Sequence, residues 1–303
     1  MSKYWKCISN ISLSAFILSF ALLACRNSHQ KQEAENTTKV ELRLECPSTI
    51  LPLVSEIVDS FHLAQKDIQI SLKGFPANSK QPTGAFDMHI GFAIHDENSS
   101  PMVFAYDEMV IAYSNKSAYR KVIKSGNWID VLLKPDVILG RLLPDSELLG
   151  VHTLITLQLS ETFYQHKSGS AKLLERKNAY FVRPTVNQII QLLQTHLIDY
   201  AFMYASQAKR QHLLFLQLPN EINLSKPELS DEYAKVKCDF SSVTSTPFKV
   251  KTSTPLEYTV SVSEQTQYKK YCNVFVDYLL THASSIICQK GQKPALEVSM
   301  EDD

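Results

Sequence analysis

The chain has 303 residues, of which 44% are hydrophobic and 20% are charged, with 31 basic and 31 acidic side chains. This length and composition are typical of globular chains and leave room for two lobes of about 100–150 residues each. The net charge of zero provides no long-range field that would favour nucleic acid or an acidic membrane surface. A charged ligand therefore has to be bound by local groups.

The first residues have the pattern of an export signal. Lys3 and Lys6 precede an apolar run from Ile11 to Ala24 that is too short to span a bilayer. The run ends in Leu-Leu-Ala-Cys, with Cys25 in the position of a lipobox cysteine that is acylated. The alternative is an uncleaved signal anchor with a chance cysteine. We expect residues 1–25 to be a lipoprotein signal peptide.

The segment that follows is polar and lacks aromatic residues. We therefore expect residues 26–39 to be a flexible tether between the lipid on Cys25 and the folded part. Acyl chains on one cysteine contribute about 0.8 kcal/mol per buried methylene, which would hold the protein on a membrane. This predicts a location in the cell envelope, facing the periplasm or the cell exterior.

The remaining cysteines do not form a metal-binding pattern. Cys46, Cys238, Cys272 and Cys288 are widely spaced and include no CxxC pair, so a zinc site is not expected. An exported compartment permits disulfides, and Cys272 with Cys288 is one possible pair. Buried free thiols are the alternative.

From Val40 the sequence alternates between strand and helix patterns. VELRLEC reads as a strand, Leu51 to Leu63 has apolar residues at helical spacing, and IQISLKG and FDMHIGFAI read as further strands. This order predicts a parallel sheet covered by helices.

A second α/β unit begins at the buried strand Met109 to Tyr113. Helical and strand-like stretches alternate after it, including the short strand Asp199 to Tyr204, and a final helix is predicted from Tyr268 to Leu280. We expect lobe one to comprise 40–112 plus 256–303 and lobe two to comprise 113–255, with a ligand cleft between them.

Four segments carry a resemblance to a known family. They are Asp107–Tyr119, Asn127–Gly140, Ile198–Tyr204 and Leu216–Tyr233 (LQLPNEINLSKPELSDEY). In these segments the chain resembles the periplasmic tungstate/molybdate-binding proteins of ABC importers. The resemblance implies a type II periplasmic-binding α/β fold with two lobes, and a tetrahedral oxyanion held by hydroxyls and by backbone amides at helix N-termini.

The resemblance also implies particular ligand residues. Ser48 matches the family's first anion-binding serine, although Ser48 or Thr49 could instead cap the first helix. Glu221 matches a glutamate that reaches the metal centre, with a solvated loop glutamate as the alternative. Glu147 falls on the position of the family's aspartate, the second carboxylate that would expand the tungsten or molybdenum towards six-coordination; a surface role is the alternative.

Three departures from the family bear on the ligand. The family places a serine and a helix after the second strand, whereas this chain has a short loop after Gly74, where Ser79 or Thr83 could substitute or the site could be degraded. Glu147 lacks the family's usual neighbours. Asp107 stands where the family tends to have an uncharged amide, which predicts a further negative charge near the cleft.

An enzyme is not indicated by any catalytic motif. The sequence has no GxSxG, no HExxH and no phosphate-binding glycine loop, and it predicts neither a cofactor nor catalytic residues. Three interpretations remain. The first is a lipid-anchored oxyanion-binding protein that works as a monomer with an importer permease. The second is a relative that binds another solute in a cleft lined by aromatic residues such as Phe75, Tyr106 and Tyr204, and the third is a lipoprotein that has lost ligand binding.

Overall fold

The structure is a computed structural model. It describes the ranges 39–75, 86–92, 101–144, 146–165, 169–175, 181–236, 238–239, 249–250 and 254–296. The predicted signal peptide, Cys25, the tether up to residue 38, Ser79 and Thr83 lie outside these residues. Among the described residues, no helix combines the length and the apolar character needed to cross a bilayer.

The first described elements are β1 (Val40–Pro47), α1 (Leu51–Ala64), β2 (Ile68–Phe75), β3 (Met88–Phe92) and β4 (Met102–Tyr106). Of these, β1, α1 and β2 form a βαβ unit with parallel strands. Helix α1 forms where the helical spacing predicted it, and the apolar residues of that pattern are the ones it buries. Strand β4 was not predicted from the sequence.

The middle of the chain forms a second set of elements. They are β5 (Met109–Tyr113), α2 (Trp128–Leu132), β6 (Leu139–Leu142), α3 (Leu148–Phe163), α4 (Gly169–Glu175), β7 (Val182–Arg183), α5 (Val186–Gln194), β8 (Tyr200–Tyr204), α6 (Ala205–Arg210), β9 (Leu214–Gln217), α7 (Asn220–Asn223), a 3-10 turn (Pro227–Leu229), α8 (Ser230–Tyr233), β10 (Cys238–Asp239) and β11 (Lys249–Val250).

The chain then returns to the first set of elements. It forms β12 (Glu257–Val262), α9 (Lys269–Thr281), α10 (Ser284–Gln289) and β13 (Lys293–Pro294). The helix predicted from Tyr268 to Leu280 corresponds to α9, which is shifted by one residue at each end, and it is followed by α10.

The strands form two large sheets, each with its own core. The first has the order β13-β4-β12-β3-β1-β2 and the second β7-β6-β8-β5-β9; β10 and β11 form a separate pair. In the first sheet β1 runs parallel to β2 and β3, and β12 lies antiparallel between β3 and β4. The predicted α/β fold with two sheet-based halves is confirmed, and we call these halves the first and second lobe.

The first crossing between the lobes lies earlier than the sequence suggested. Strand β5 pairs along its length with β8 and β9 of the second sheet, so the chain leaves the first lobe at Asp107 and Glu108 instead of at Ala112. The return crossing lies beside it, because the Asp107 amide donates a hydrogen bond to the Leu256 carbonyl (3.0 Å). The two crossings are thus hydrogen-bonded to each other.

The possible disulfide between Cys272 and Cys288 is not formed. Both cysteines are free, as is Cys46; Cys272 is buried in α9, whereas Cys288 is exposed on α10. Burial raises the pKa of Cys272 to about 11 and that of Cys46 to about 12, which keeps both thiols protonated. The alternative of buried free thiols holds for these two residues.

Candidate functional site

A cavity of about 610 Å³ lies between the two lobes. The first lobe contributes three lining residues just before or within the first turn of α1, and the second lobe contributes residues from three segments. The described lining residues are Ser48, Thr49, Pro52, Ser146, Glu147, Pro184, Thr185, Val186, Asn187, Ile190, Gln207, Arg210 and Gln211. Most of these side chains are polar, which distinguishes the cavity from an apolar ligand pocket.

Three helices begin at this cavity. The residues around the N-termini of α1, α3 and α5 all line it, and the helices have 14, 16 and 9 residues. The first N–H groups of a helix have no intrahelical acceptor, and the helix dipole adds about half a positive charge at that end. No side chain of an N-cap residue caps any of these three helices in the described part of the chain. The arrangement favours an anion.

Glu147 supplies the carboxylate of the cavity. It precedes α3 in extended conformation (φ −146°, ψ 145°), and its Oε1 accepts a hydrogen bond of 3.0 Å from the Val186 amide at the start of α5. Its Oε2 is buried and has no hydrogen-bond partner within the described residues. Burial raises the pKa of Glu147, and the Val186 amide acts in the opposite direction. One carboxylate oxygen of Glu147 therefore occupies an anion position at a helix N-terminus.

Two further polar atoms in the cavity lack partners. Thr49 Oγ1 and Gln207 Oε1 are both buried and form no hydrogen bond with the described residues. Gln207 as a whole is only 4% exposed. Buried polar groups are normally hydrogen-bonded, and an unpartnered one costs about 1–3 kcal/mol. The Thr49 hydroxyl can donate to a bound anion, whereas Gln207 Oε1 only accepts, so Gln207 would contact an anion through its amide nitrogen.

Arg210 is the cation among the described lining residues. It ends α6 and forms no hydrogen bond or ion pair with the described part of the chain. The neighbouring Lys209 points elsewhere and donates to the Gly291 carbonyl (3.3 Å). Arg210, Gln207 and the orphan Thr49 hydroxyl were not identified from the sequence as ligand groups. One signal was available: residues after the carboxyl end of a strand such as β8 border the crevice in open α/β sheets.

Ser48, which the resemblance implied as an anion ligand, is one of the residues that line the cavity. Its hydroxyl donates a hydrogen bond of 3.0 Å to the Phe75 carbonyl, and its amide donates to the same oxygen (2.8 Å). It does not cap α1, whose N-cap position is occupied by Ile50 without a side-chain hydrogen bond. The hydroxyl proton is thus used within the first lobe, while its oxygen lone pairs remain available.

Glu221 is not among the residues that line the cavity. It is exposed on α7, which packs against α3, and its carboxylate adds to the rise in the pKa of Tyr164 that burial causes. Tyr164 follows the last residue of α3, whereas Glu147 precedes the first, and a helix of 16 residues is about 24 Å long. Because both glutamates belong to the second lobe, closure of the lobes cannot bring them together.

Asp107 is a structural residue at the first crossing. It is 2% exposed and does not line the cavity. Its Oδ1 accepts hydrogen bonds from the amides of Glu108 (2.8 Å) and Ser206 (3.2 Å), and its Oδ2 accepts one from the Tyr258 hydroxyl (2.9 Å). The expected additional negative charge in the cleft is therefore absent from this cavity, since Asp107 points into the packed crossing.

Aromatic residues join the lobes beside the crossing. The Phe92 ring of the first lobe lies 6.0 Å from His152 and 5.8 Å from Tyr204 of the second, and 5.0 Å from Tyr258. His152 Nδ1 is 2.7 Å from the Tyr204 hydroxyl.

The aromatic lining that would have favoured another solute is not observed. Tyr204 is buried in the contact with Phe92, and Phe75 stacks on His89 at 5.5 Å. Neither these residues nor Tyr106 is among the described residues that line the cavity. The described residues also contain no group of three or more His, Cys, Asp or Glu side chains able to hold a metal ion.

Two lobes with a polar cavity between them define the class of solute-binding proteins with a hinged α/β fold. The family described as bacterial extracellular solute-binding protein matches residues 75–291. The chain belongs to this family.

Known proteins agree with this assignment. A solute-binding protein of Methanococcus aeolicus is 30% identical over 64% of this chain and 60% of its own length. A molybdate/tungstate-binding protein of Pyrococcus abyssi is 24% identical over 64% of this chain and 62% of its own length. The chain thus matches less than two thirds of the length of these relatives.

Among solved structures, the periplasmic molybdate-binding protein of Azotobacter vinelandii has the same fold. The TM-score is 0.51 at 12% identity, with 83% of this chain and 98% of that chain covered. This likeness establishes the two-lobed fold.

Proposed function

We propose that this chain is the solute-binding protein of an ABC importer and captures tungstate or molybdate in the cavity between the lobes. The observation that carries the proposal is the meeting of three helix N-termini with Arg210 and the unpartnered Thr49 and Gln207 side chains. The helix N-termini, the Arg210 guanidinium and the Thr49 hydroxyl donate hydrogen bonds or add positive charge, so they favour a bound anion, and the Gln207 amide nitrogen is a further donor. The names of related proteins support tungstate and molybdate as the oxyanions.

The role we propose is binding followed by delivery to the importer permease, without catalysis. Ser48 and Glu147 line the proposed site on opposite lobes, as do Thr49 and Arg210. An anion that contacts Thr49 and Arg210 would hold the lobes together. Glu221 has no role in this proposal, because it lies at the other end of α3.

The test is calorimetric titration of a chain that begins at Arg26, with tungstate, molybdate, sulfate and phosphate. We expect saturable binding of tungstate and molybdate. A Thr49→Val, Gln207→Leu double variant should bind at least tenfold more weakly, since it removes the Thr49 hydroxyl and the Gln207 amide nitrogen as donors to the anion. Glu221→Ala should bind like the wild type. Absence of binding for all four anions would refute the proposal.

We also propose that Cys25 is lipidated and anchors the protein on the outer face of a membrane. The supporting observation is the lipobox-like run before Cys25. In an expressing bacterium, the full chain should fractionate with membranes and incorporate labelled palmitate, whereas Cys25→Ser should do neither. Equal labelling of both chains would contradict the anchor.

A further inference from the structure

The charged groups of the cavity indicate how an oxyanion would be held, if the proposed function is correct. Glu147 and Arg210 are the carboxylate and the guanidinium among the described lining residues. They form no ion pair with each other within the described chain, so both remain in the cavity as separate charges.

Expansion of the bound metal to six-coordination requires two carboxylates. The described part of the chain brings one to the cavity, since Glu221 lies at the far end of α3 and in the same lobe. The Glu147 carboxylate is already engaged through Oε1 with the Val186 amide. The ligand set for six-coordination is therefore incomplete.

The charge balance of the cavity instead identifies Arg210 as the group that neutralises the bound anion. Three helix N-termini supply about +1.5 charges in total, and an ionised Glu147 offsets about one of these. The remainder is too small for an anion of charge −2, and the Arg210 guanidinium adds a full positive charge with donors that match two oxygens of an oxyanion. Because Arg210 has no partner in the described structure, a structural role for its charge is not evident.

We infer that the bound oxyanion stays four-coordinate and is held by Arg210, by helix N–H groups and by side-chain donors, with no bond from a carboxylate to its central atom. The ligand class is then the tetrahedral dianion, defined by charge and shape. Sulfate belongs to this class as well as tungstate and molybdate. Glu147 opposes the anion in this arrangement.

Substitutions distinguish this arrangement from metal coordination, because the two predict opposite changes in tungstate affinity when the Glu147 charge is removed. Arg210→Gln should weaken tungstate binding at least tenfold without changing the melting temperature, and Arg210→Lys should restore part of the affinity. Glu147→Gln keeps an oxygen for the Val186 amide and removes the opposing charge, so tungstate should bind more tightly. Arg120→Gln, at an exposed position away from the cavity lining, is the charge-matched control and should bind like the wild type.

Two further measurements complete the test. Sulfate should bind within about tenfold of tungstate, and X-ray absorption at the tungsten edge should show four oxygen neighbours in the complex. Six neighbours, weaker binding by Glu147→Gln, or unchanged binding by Arg210→Gln would each overturn the inference while leaving oxyanion capture intact. If the wild type binds none of the anions, the proposed function fails and this inference fails with it.

Discussion

Asp107 is buried and His152 is partly buried near the lobe crossings, and the ionisation of each affects folding. Burial lowers the pKa of His152 to about 4, from its ordinary value of 6.5, so the ring is neutral beside the Tyr204 hydroxyl. Burial raises the pKa of Asp107, against the effect of its hydrogen-bond donors. Both residues stabilise the junction through fixed hydrogen bonds.

The shift at His152 predicts a pH dependence of stability. Between pH 6.5 and about 4 the unfolded chain binds the proton more strongly than the folded chain, so stability is lost as the pH falls through this range. Urea unfolding should show that this residue accounts for about 2 kcal/mol between pH 7 and pH 5. His152→Gln should lose correspondingly less over the same interval. Equal losses in the two proteins would contradict the assignment.

Removal of the Asp107 carboxylate should be costly at any pH. Asp107→Ala leaves three donors at the crossing without their acceptor, and we expect a loss of about 2–4 kcal/mol in the free energy of unfolding. Asp59→Ala, on the exposed side of α1, is the matched control and should change stability by less than about 0.5 kcal/mol. A loss as small as that of the control would show that Asp107 is not structurally required.

At the scale of elements, helix α3 sets the geometry of the second lobe. Its N-terminus places Glu147 in the cavity and its C-terminus lies near Glu221, so its length separates the two carboxylates. The start of α3 packs tightly against the preceding loop: a Cβ on Gly150 would lie 2.8 Å from the Leu143 carbonyl oxygen. The glycine permits this close approach.

Gly150→Ala should therefore destabilise the fold. The added methyl group meets backbone atoms that cannot move independently, and we expect a loss of about 1–3 kcal/mol by thermal or urea unfolding. Gly126→Ala introduces the same group where nothing lies within 4 Å, so it should be close to neutral. If both substitutions have equal effects, the contact with Leu143 is not the cause.

For the whole molecule, the position of the cavity predicts closure on binding. Thr49 belongs to the first lobe and Arg210 to the second, so a ligand bound by both is expected to draw the lobes together about the crossings at Asp107 and Leu256. Small-angle X-ray scattering should show a smaller radius of gyration with saturating tungstate. The unfolding free energy should rise by about 2.7 kcal/mol at a ligand concentration of 100 Kd. Binding with unchanged scattering would show a preformed, closed site.

The amino-acid sequence alone determined the α/β class, most of the elements and the family. Apolar spacing reports contacts within one helical turn or along one strand, which is why α1, β5 and β8 were predicted almost to the residue. Ser48 and Glu147 were named through the family resemblance, and both line the cavity.

Only the tertiary structure decided which groups share the cavity. Arg210 and Gln207 line the same cavity as Thr49 because the pairing of β8 with β5 and β6 places α6 beside the first lobe, far from Thr49 in sequence. The family resemblance implied Glu221 as a ligand residue, but the packing of α7 on α3 places it at the opposite end of that helix. Long-range pairing of strands and helices has no periodic signal in the sequence, so these positions required the folded chain.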